Sequence, residues 1–342
     1  MPLLTSKYWN WELDHVMKWN ERGINIFFHR TPIINKNTNI VTIGSCFASE
    51  LADAMERLHL RGTMHPNGLY YNTASIRQEF ERIFEPEINN FPEEIWEVEQ
   101  GYIHPFKSYY EFFKTPAELY KWSAEIDGQA AALFQHADLF VITLGLIEVW
   151  RDKTTGAVYR QLPPPSIVAE KGISLSRLTV AEMLNDLEKI HQIICRYTKA
   201  NLIITVSPVP LNATMTDLDV RVANMESKSR IRAAVSEFIE IHPEVFYFHS
   251  YEIVATAEKA SDFMLEDGRH VRRNAVDFIL NQFLRVFASD EIAIGELDTS
   301  WITPPNQLAL TPKRSIFLRI PKTRKELATK LKKLKRKIFG AT

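Results

Sequence analysis

Two side chains that could act as nucleophiles stand next to each other early in the chain. Residues 40–51 read IVTIGSCFASEL: an apolar, β-branched run, then Gly44, Ser45 and Cys46, then a segment typical of a helix. Gly44 permits a sharp strand-to-helix turn and the close approach of a substrate. The N–H groups at the start of a helix stabilise a thiolate or an oxyanion. The predicted chemistry is nucleophilic attack by Cys46 or Ser45.

A carboxylate and an imidazole with complementary spacing occur late in the chain. Asp267 precedes His270 by three residues in LEDGRHV, just before a helical pattern over residues 271–287. This spacing lets the carboxylate orient the imidazole and stabilise its charged form, as in an acyl-transfer triad. An isolated Asp-x-x-His pair is common and can simply cap a helix. Combined with the early nucleophile, it predicts an acyl-transfer site.

The segments between these residues predict an α/β protein. Four short apolar and β-branched runs are predicted strands: 39–43, 138–143, 201–206 and 245–248. Helical patterns alternate with them: 48–58, 179–198 and 227–241. This alternation predicts a mostly parallel central sheet with helices on both faces. Such sheets bind ligands at the carboxyl ends of their strands, where the Gly44 turn, Gly145 and Ser207 are expected.

One α/β domain is predicted over residues 1–310, with an insertion at about 86–125. The insertion is rich in aromatic residues, including Trp96, Tyr102, Phe106 and Trp122. It is interpreted as a helical subdomain that buries its own aromatic side chains; the alternative is a segment that covers the sheet edge or the site. Residues 298–312 contain three prolines and are typical of a linker.

Composition excludes several classes of protein. Only two cysteines occur, Cys46 and Cys195, which fits a reducing compartment without a disulfide framework. No run of about 18 apolar residues predicts a membrane span, and the first twenty residues lack the apolar core of a signal peptide. A cytoplasmic location is expected. No metal-ligand spacing or phosphate-binding loop is recognised, so neither a metal nor a bound cofactor is expected.

The C-terminal residues, 311–342, differ in charge from the rest of the chain. They hold twelve Lys or Arg and one acidic residue, whereas 29 basic and 41 acidic residues remain elsewhere. Within residues 325–339, Leu327, Leu331, Leu334 and Ile338 form one apolar stripe on a basic helix. Such a helix can lie on an anionic membrane surface, here the inner leaflet. Nucleic-acid binding is disfavoured because no aromatic residue interleaves the lysines, and a solvated tail is the remaining alternative.

Six segments, in order, resemble the GSCFA family, which is itself similar to the SGNH (GDSL-like) hydrolases. They are IGSCFA, HPNGLYYNTASI (65–76), TLGLIEVW (143–150), ITVSPVPL (204–211), YFHSYEIV (247–254) and EDGRHV (266–271). The resemblance covers roughly residues 35–285. It implies a three-layer α/β/α fold with a hydrolase-like site, and it leaves the substrate open.

The resemblance also implies roles for individual residues. In a gapless register Cys46 takes the nucleophile position and Ser45 the preceding aspartate position, whereas a one-residue shift makes Ser45 the nucleophile. Asp267 and His270 match the Asp-x-x-His block. Gly68 matches the glycine whose N–H binds the oxyanion, and Gly145 matches the glycine of the Gly-x-Asn-Asp block.

One position departs from the superfamily pattern. Ile147 stands where the oxyanion-binding asparagine is expected. Asn72, Thr143 or a backbone N–H could substitute for that donor, and Glu148 could fill the following acid position.

The function expected from these observations is acyl-group chemistry on an ester of a carbohydrate or polysaccharide precursor, by hydrolysis or transfer. Cys46 or Ser45 would form the acyl-enzyme, and His270 with Asp267 would handle the proton. An acyl-coenzyme A could serve as donor, although no motif identifies one. The alternative is a non-catalytic module that binds a glycan or a lipid-linked sugar, which the isoleucine at position 147 favours.

Overall fold

The computed structural model describes residues 29–87, 95–107, 111–160, 162–257, 263–268 and 271–292. Among these residues, the elements follow in the order β1 (Ile40–Gly44), α1 (Cys46–Arg57), β2 (Gly62–Met64), α2 (Thr73–Phe84), β3 (Trp96–Val98), β4 (Gly101–Ile103), α3 (Pro116–Gln135), β5 (Leu139–Leu144), β6 (Glu148–Asp152), β7 (Val158–Tyr159), α4 (Pro165–Lys171), β8 (Ile173–Arg177), α5 (Val180–Tyr197), β9 (Asn201–Val206), α6 (Val220–Ile241), β10 (Phe246–Phe248), α7 (Ser250–Ala255) and α8 (Arg273–Phe287).

The central sheet is parallel throughout and has the strand order β10-β9-β5-β1-β2. β1 and β5 are buried along their whole length, as expected for a sheet covered on both faces. Successive side chains of a strand point to opposite faces. Val41, Ile43 and Ile142 therefore share one core with residues of α2, α5 and α6, while α1 and α8 pack together. The predicted α/β/α arrangement is confirmed.

The four predicted strands agree with β1, β5, β9 and β10 to within one residue at each end. The predicted helix 179–198 is α5, whose start is fixed by a capping box between Thr179 and Glu182. Helix α6 begins at Val220, seven residues before its predicted start. Its first turns carry Val222 and Met225 exposed, so they show no apolar stripe. Asp219 caps them instead, by accepting from the Arg221 N–H at 2.9 Å.

The insertion at 86–125 is only partly helical among its described residues. β3 and β4 form an antiparallel hairpin, and α3 begins at Pro116 behind a Thr115–Glu118 capping box. Trp96 is 1% exposed and packs against Tyr159 of β7. The aromatic residues thus join the hairpin to a second small sheet, of order β7-β6-β8. The domain boundary predicted at 310 and the tail 311–342 lie outside the described residues.

A network of buried charges holds the segment between β2 and α2. Nε2 of His65, which directly follows β2, lies 2.8 Å from Oε1 of Glu79 in α2. Glu79 is 3% exposed and pairs with Arg82, and Arg82 also pairs with Asp127 of α3. Burial alone would raise the pKa of the Glu79 carboxyl, but the Arg82 guanidinium outweighs it and holds that pKa well below its usual range.

Arg160 fastens the same segment to the insertion. Its guanidinium donates to three backbone carbonyls, those of Asn67, Leu69 and Lys107, and lies over the ring of Tyr70, 4.5 Å from its centroid. The Tyr70 N–H donates to the Gly44 carbonyl at 2.7 Å. The charged network and Arg160 therefore fix a loop that touches the end of β1. No helix among the residues described above is long and apolar enough to cross a membrane.

We predict that Glu79→Gln lowers the free energy of unfolding by about 1.5–3 kcal/mol, because it removes the buried carboxylate that pairs with both His65 and Arg82, while Arg82 keeps Asp127 as a partner. Asp277→Asn is the matched control, since Asp277 pairs with Arg57 on the surface at 2.6 Å. It should change the free energy of unfolding by less than about 1 kcal/mol. Urea denaturation followed by circular dichroism measures both. Equal effects would show that the buried network does not stabilise the fold.

Candidate functional site

The turn between β1 and α1 forms as predicted at the carboxyl edge of the sheet. Gly44 has a φ of +144°, and a Cβ there would lie 2.1 Å from the Thr143 carbonyl oxygen. Only glycine fits this approach between β1 and β5. The Ser45 N–H then donates to the backbone oxygen of Thr143 and to its Oγ1, both at 2.9 Å. The neighbouring strand therefore sets where Ser45 and Cys46 lie.

Ser45 acts as the N-cap of α1. Its Oγ accepts from the Phe47 N–H at 3.3 Å and lies 3.0 Å from Oγ1 of Thr143. Ser45 is 2% exposed and Thr143 is fully buried. A serine engaged in this way is held as a cap. Thr143 is likewise committed to the turn, so neither hydroxyl has the exposure expected of a group that meets substrate.

Cys46 is the first residue of α1 and is half-buried, and its thiol is not in a disulfide. Between the two adjacent candidates, it is therefore the side chain that solvent can reach. It lies at a helix N-terminus, where the dipole stabilises a thiolate. It also interacts electrostatically with a lysine of α6, which sequence reasoning did not identify.

That lysine is Lys228, which is 1% exposed. Its Nζ donates to the Gly145 carbonyl oxygen at 3.0 Å, its one hydrogen bond within the described part of the chain. Burial lowers the pKa of the Lys228 ammonium to about 7, and the attraction of Cys46 offsets only part of that effect. A buried amine that titrates near neutrality beside a thiol is typical of a functional site.

The sequence contained a signal for Lys228. It lies three and seven residues before Ile231 and Val235, which are buried on α6. This spacing places the lysine on the apolar face of the helix. Its neighbour Cys46 is distant in sequence, so no local pattern indicated what the lysine meets.

Gly145 and the start of α2 lie beside the turn. The N–H groups of Gly145 and Leu146 donate to the Tyr71 carbonyl at 2.8 and 3.1 Å. A Cβ at Gly145 would lie 3.4 Å from Cβ of Ser45, which places the two residues in contact. Asn72 caps α2, because its Oδ1 accepts from the Ser75 N–H at 2.9 Å. Its Nδ2 donates to no acceptor among the residues with assigned positions.

Two predicted roles, those of Gly68 and Glu148, are not supported by the structure. The Gly68 N–H donates to the His65 carbonyl at 3.0 Å, so it closes a turn and is not available to an oxyanion. Glu148 holds the loop after β9, accepting from the Thr214 hydroxyl and from the Met215 N–H at 2.9 Å. It is therefore a structural carboxylate. Ile147 is 1% exposed within the main core, which explains its apolar side chain.

Of the predicted pair Asp267 and His270, the structure describes only Asp267. Asp267 is exposed in a turn closed by the Gly268 N–H, which donates to the Leu265 carbonyl at 2.9 Å. His270 lies outside the described residues, so its approach to Cys46 or Ser45 remains a prediction.

The pKa of Lys228 predicts a distinctive pH dependence. Between pH 7 and 10.5 the unfolded chain keeps the lysine proton and the folded chain does not, so stability should rise with pH by up to about 1.4 kcal/mol per unit. Lys228→Met should remove this slope. Lys189→Met, at an exposed position of α5, should leave it unchanged. Denaturant unfolding at several pH values provides the measurement, and identical slopes in all three proteins would contradict the assignment.

Comparisons with known proteins agree with the sequence motifs. Among solved structures, a mutant of Axe2, an acetyl-xylooligosaccharide esterase from Geobacillus Stearmophilus, is similar with 14% identity and a TM-score of 0.34; the match covers 76% of this chain and 99% of that one. That likeness is too weak to assign a role to any residue. No curated protein matches significantly. The model of the GSCFA family matches residues 39–283, well over half of the sequence, and the chain therefore belongs to the GSCFA family.

Proposed function

We propose that the protein catalyses acyl-group chemistry on an ester, by hydrolysis or transfer, with Cys46 as the nucleophile. The observation that carries the proposal is the position of Cys46, a half-buried thiol at the start of α1 beside the buried Lys228. Ser45, the alternative nucleophile, is 2% exposed and engaged as a helix cap. This difference favours Cys46.

The proposed reaction has two steps. In the first, the Cys46 thiolate attacks the ester carbonyl carbon, and the alcohol leaves with a proton from a general acid, which gives a thioester on the enzyme. In the second, water or an acceptor hydroxyl attacks the thioester and gives up a proton, which restores the thiolate. Hydrolysis and transfer differ only in this acceptor.

Two groups are proposed to handle the protons. The family resemblance assigns His270 as general base and then acid, oriented by Asp267. Lys228, which donates to the Gly145 carbonyl, supports the same chemistry. As an ammonium it stabilises the Cys46 thiolate, and with a pKa of about 7 it can exchange a proton at neutral pH.

The oxyanion that forms at the carbonyl needs donors other than Gly68. The N–H groups of Ser45, Phe47 and Ala48 are engaged within the turn, so the start of α1 contributes mainly through its dipole, which stabilises negative charge at the N-terminus of the helix. Nδ2 of Asn72 is the side-chain donor that we propose in addition. This residue lies next to Tyr71, whose carbonyl accepts from Gly145. It would replace the asparagine that is absent at position 147.

The substrate class is proposed from the resemblance. An ester of a carbohydrate or polysaccharide precursor fits it, and an acyl-coenzyme A would be a suitable donor for a cytoplasmic thiol enzyme. The competing proposal is a glycan-binding module without turnover, which the buried Ile147 favours because it removes the usual oxyanion donor.

Labelling and substitution distinguish these proposals. In a Cys195→Ser background, iodoacetamide should add one carbamidomethyl group, and a protein that also carries Cys46→Ser should add none. A fluorophosphonate probe should leave Ser45 unmodified. With an aryl acetate as substrate, Cys46→Ser should reduce turnover by about 100-fold or more. Ser45→Ala should reduce it far less and cost about 1 kcal/mol of stability through the lost cap.

Comparable losses of turnover from Cys46→Ser and Ser45→Ala would show that the gapless alignment with the superfamily motif does not identify the nucleophile. An unlabelled Cys46 in a folded protein that turns over no ester but binds glycans would favour the binding module.

The basic C-terminal residues provide a separate proposal, reversible attachment to an anionic membrane through residues 325–339. Each engaged Lys or Arg contributes about 1 kcal/mol, which offsets the repulsion of the acidic remainder of the chain. The full chain should sediment with vesicles that contain phosphatidylserine, and less so as salt is raised. A chain that ends at Ala309 should remain in solution. If neither protein sediments at low salt, these residues do not bind membranes.

A further inference from the structure

A cluster of histidine and glutamate side chains lies on the two helices that cover one face of the sheet. His191 belongs to α5, His242 ends α6, and Glu244 follows in the turn before β10. One potential metal-binding atom from each of the three lies within 4.8 Å of the others. Oε1 of Glu244 is 3.1 Å from Nε2 of His191 and 3.3 Å from Nδ1 of His242.

These distances match those between the ligands of a tetrahedral metal ion. Zinc binds histidine nitrogen at 2.0–2.1 Å and carboxylate oxygen at about the same distance, so adjacent ligand atoms lie about 3.3 Å apart. The two nitrogen–oxygen separations fit this value, and the two nitrogens lie within 4.8 Å of each other. One carboxylate oxygen therefore meets a ring nitrogen from each of the two histidines.

The surroundings hold the imidazole of His242 in the orientation that metal binding needs. Its other nitrogen, Nε2, lies 2.6 Å from Oε2 of Glu188, and Glu188 in turn accepts from Nε2 of Gln192 at 2.8 Å. A carboxylate that accepts from the distal nitrogen of a ligating histidine is the usual second partner in zinc sites. It directs the lone pair of Nδ1 toward Glu244.

Packing against neighbouring rings fixes the imidazoles of His191 and His242. The centroids of His191 and His242 are 4.4 Å apart, and the ring of Phe238 lies 4.6 Å from that of His242. Phe238 is 1% exposed and His191 is 8% exposed. The Val245 N–H donates to the His242 carbonyl at 3.0 Å, which closes the turn that returns Glu244 to the histidines. The ligands are therefore positioned by rigid elements, with Glu244 facing solvent.

We propose that His191, His242 and Glu244 bind a zinc ion. His242 and Glu244 are two residues apart in the sequence, whereas His191 lies some 50 residues earlier, so no local spacing indicates this set of ligands. Sγ of Cys195 lies 3.4 Å from Nε2 of His191, and this contact is given up when the nitrogen binds zinc. Water completes the coordination.

The site lies at the amino edge of the sheet, because Glu244 precedes β10 and the C-terminal end of α5 leads into β9. Cys46 lies at the opposite, carboxyl edge. The zinc ion therefore takes no part in the chemistry proposed at Cys46. It ties α5 to the turn between α6 and β10, and its binding free energy adds to the stability of the folded state.

The test measures zinc binding to the full chain after removal of metals with a chelator. Equilibrium dialysis should give one zinc ion per chain, and zinc should raise the melting temperature. Glu244→Gln removes a ligand and should weaken zinc binding by more than about 100-fold. Glu188→Gln leaves all three ligands in place and removes only the partner that orients His242, so it should weaken zinc binding by about 10–100-fold. Glu240→Gln, an exposed carboxylate of α6, is the matched control and should bind as the wild type does.

Cobalt provides a readout of geometry that does not depend on stability. Added Co²⁺ should give the visible absorption bands of a tetrahedral site, and Glu244→Gln should abolish them. Circular dichroism confirms that each variant is folded. Equal zinc affinity of the wild type, Glu244→Gln and Glu240→Gln, or octahedral cobalt spectra in all of them, would overturn the proposal and leave the cluster as a set of hydrogen-bonded side chains.

Discussion

The close approach of β1 and β5 at Gly44 is the contact on which the candidate site depends. A side chain at this position would collide with the Thr143 carbonyl, so the strand can end there only with glycine. The same carbonyl and the Thr143 hydroxyl receive the next N–H, which starts α1 without a connecting loop. As a result the thiol of Cys46 sits at the edge of a sheet rather than on a loop, with its position fixed by strand pairing.

A second constraint is the burial of Lys228. Enclosing an amine costs stability at neutral pH, and its single assigned hydrogen bond, to Gly145, compensates only in part. Structural needs alone would be met by an apolar residue on this face of α6, between Ala223 and Ile231. The contrast with Glu79 is informative, because that buried carboxylate is fully paired. An incompletely compensated charge beside Cys46 is better explained by chemistry than by folding.

The regular elements were predictable because burial imposes a period on the sequence. β9 and α5 show this clearly: an unbroken apolar run and a stripe at steps of three to four residues. Contacts between distant segments impose no such period. The pairing of Lys228 with the turn at Cys46, the return of Glu244 to His191 and the use of the Gly68 N–H within its own turn therefore could not be read from local patterns. Glu148 was misassigned for the same reason, since its partners lie some 66 residues away.

The strand order has a consequence for the newly synthesised chain. β1 pairs with β5, about 100 residues later, and at about 5–20 residues per second this partner emerges only some 5–20 seconds afterwards. During that interval β1 has only the short edge strand β2 as a partner, and Cys46 stands at the end of an incompletely paired apolar segment. Early folding of the N-terminal third on the ribosome is thus disfavoured. The nascent chain exposes an aggregation-prone strand, and Cys46 lacks the helix and the lysine that surround it in the folded protein.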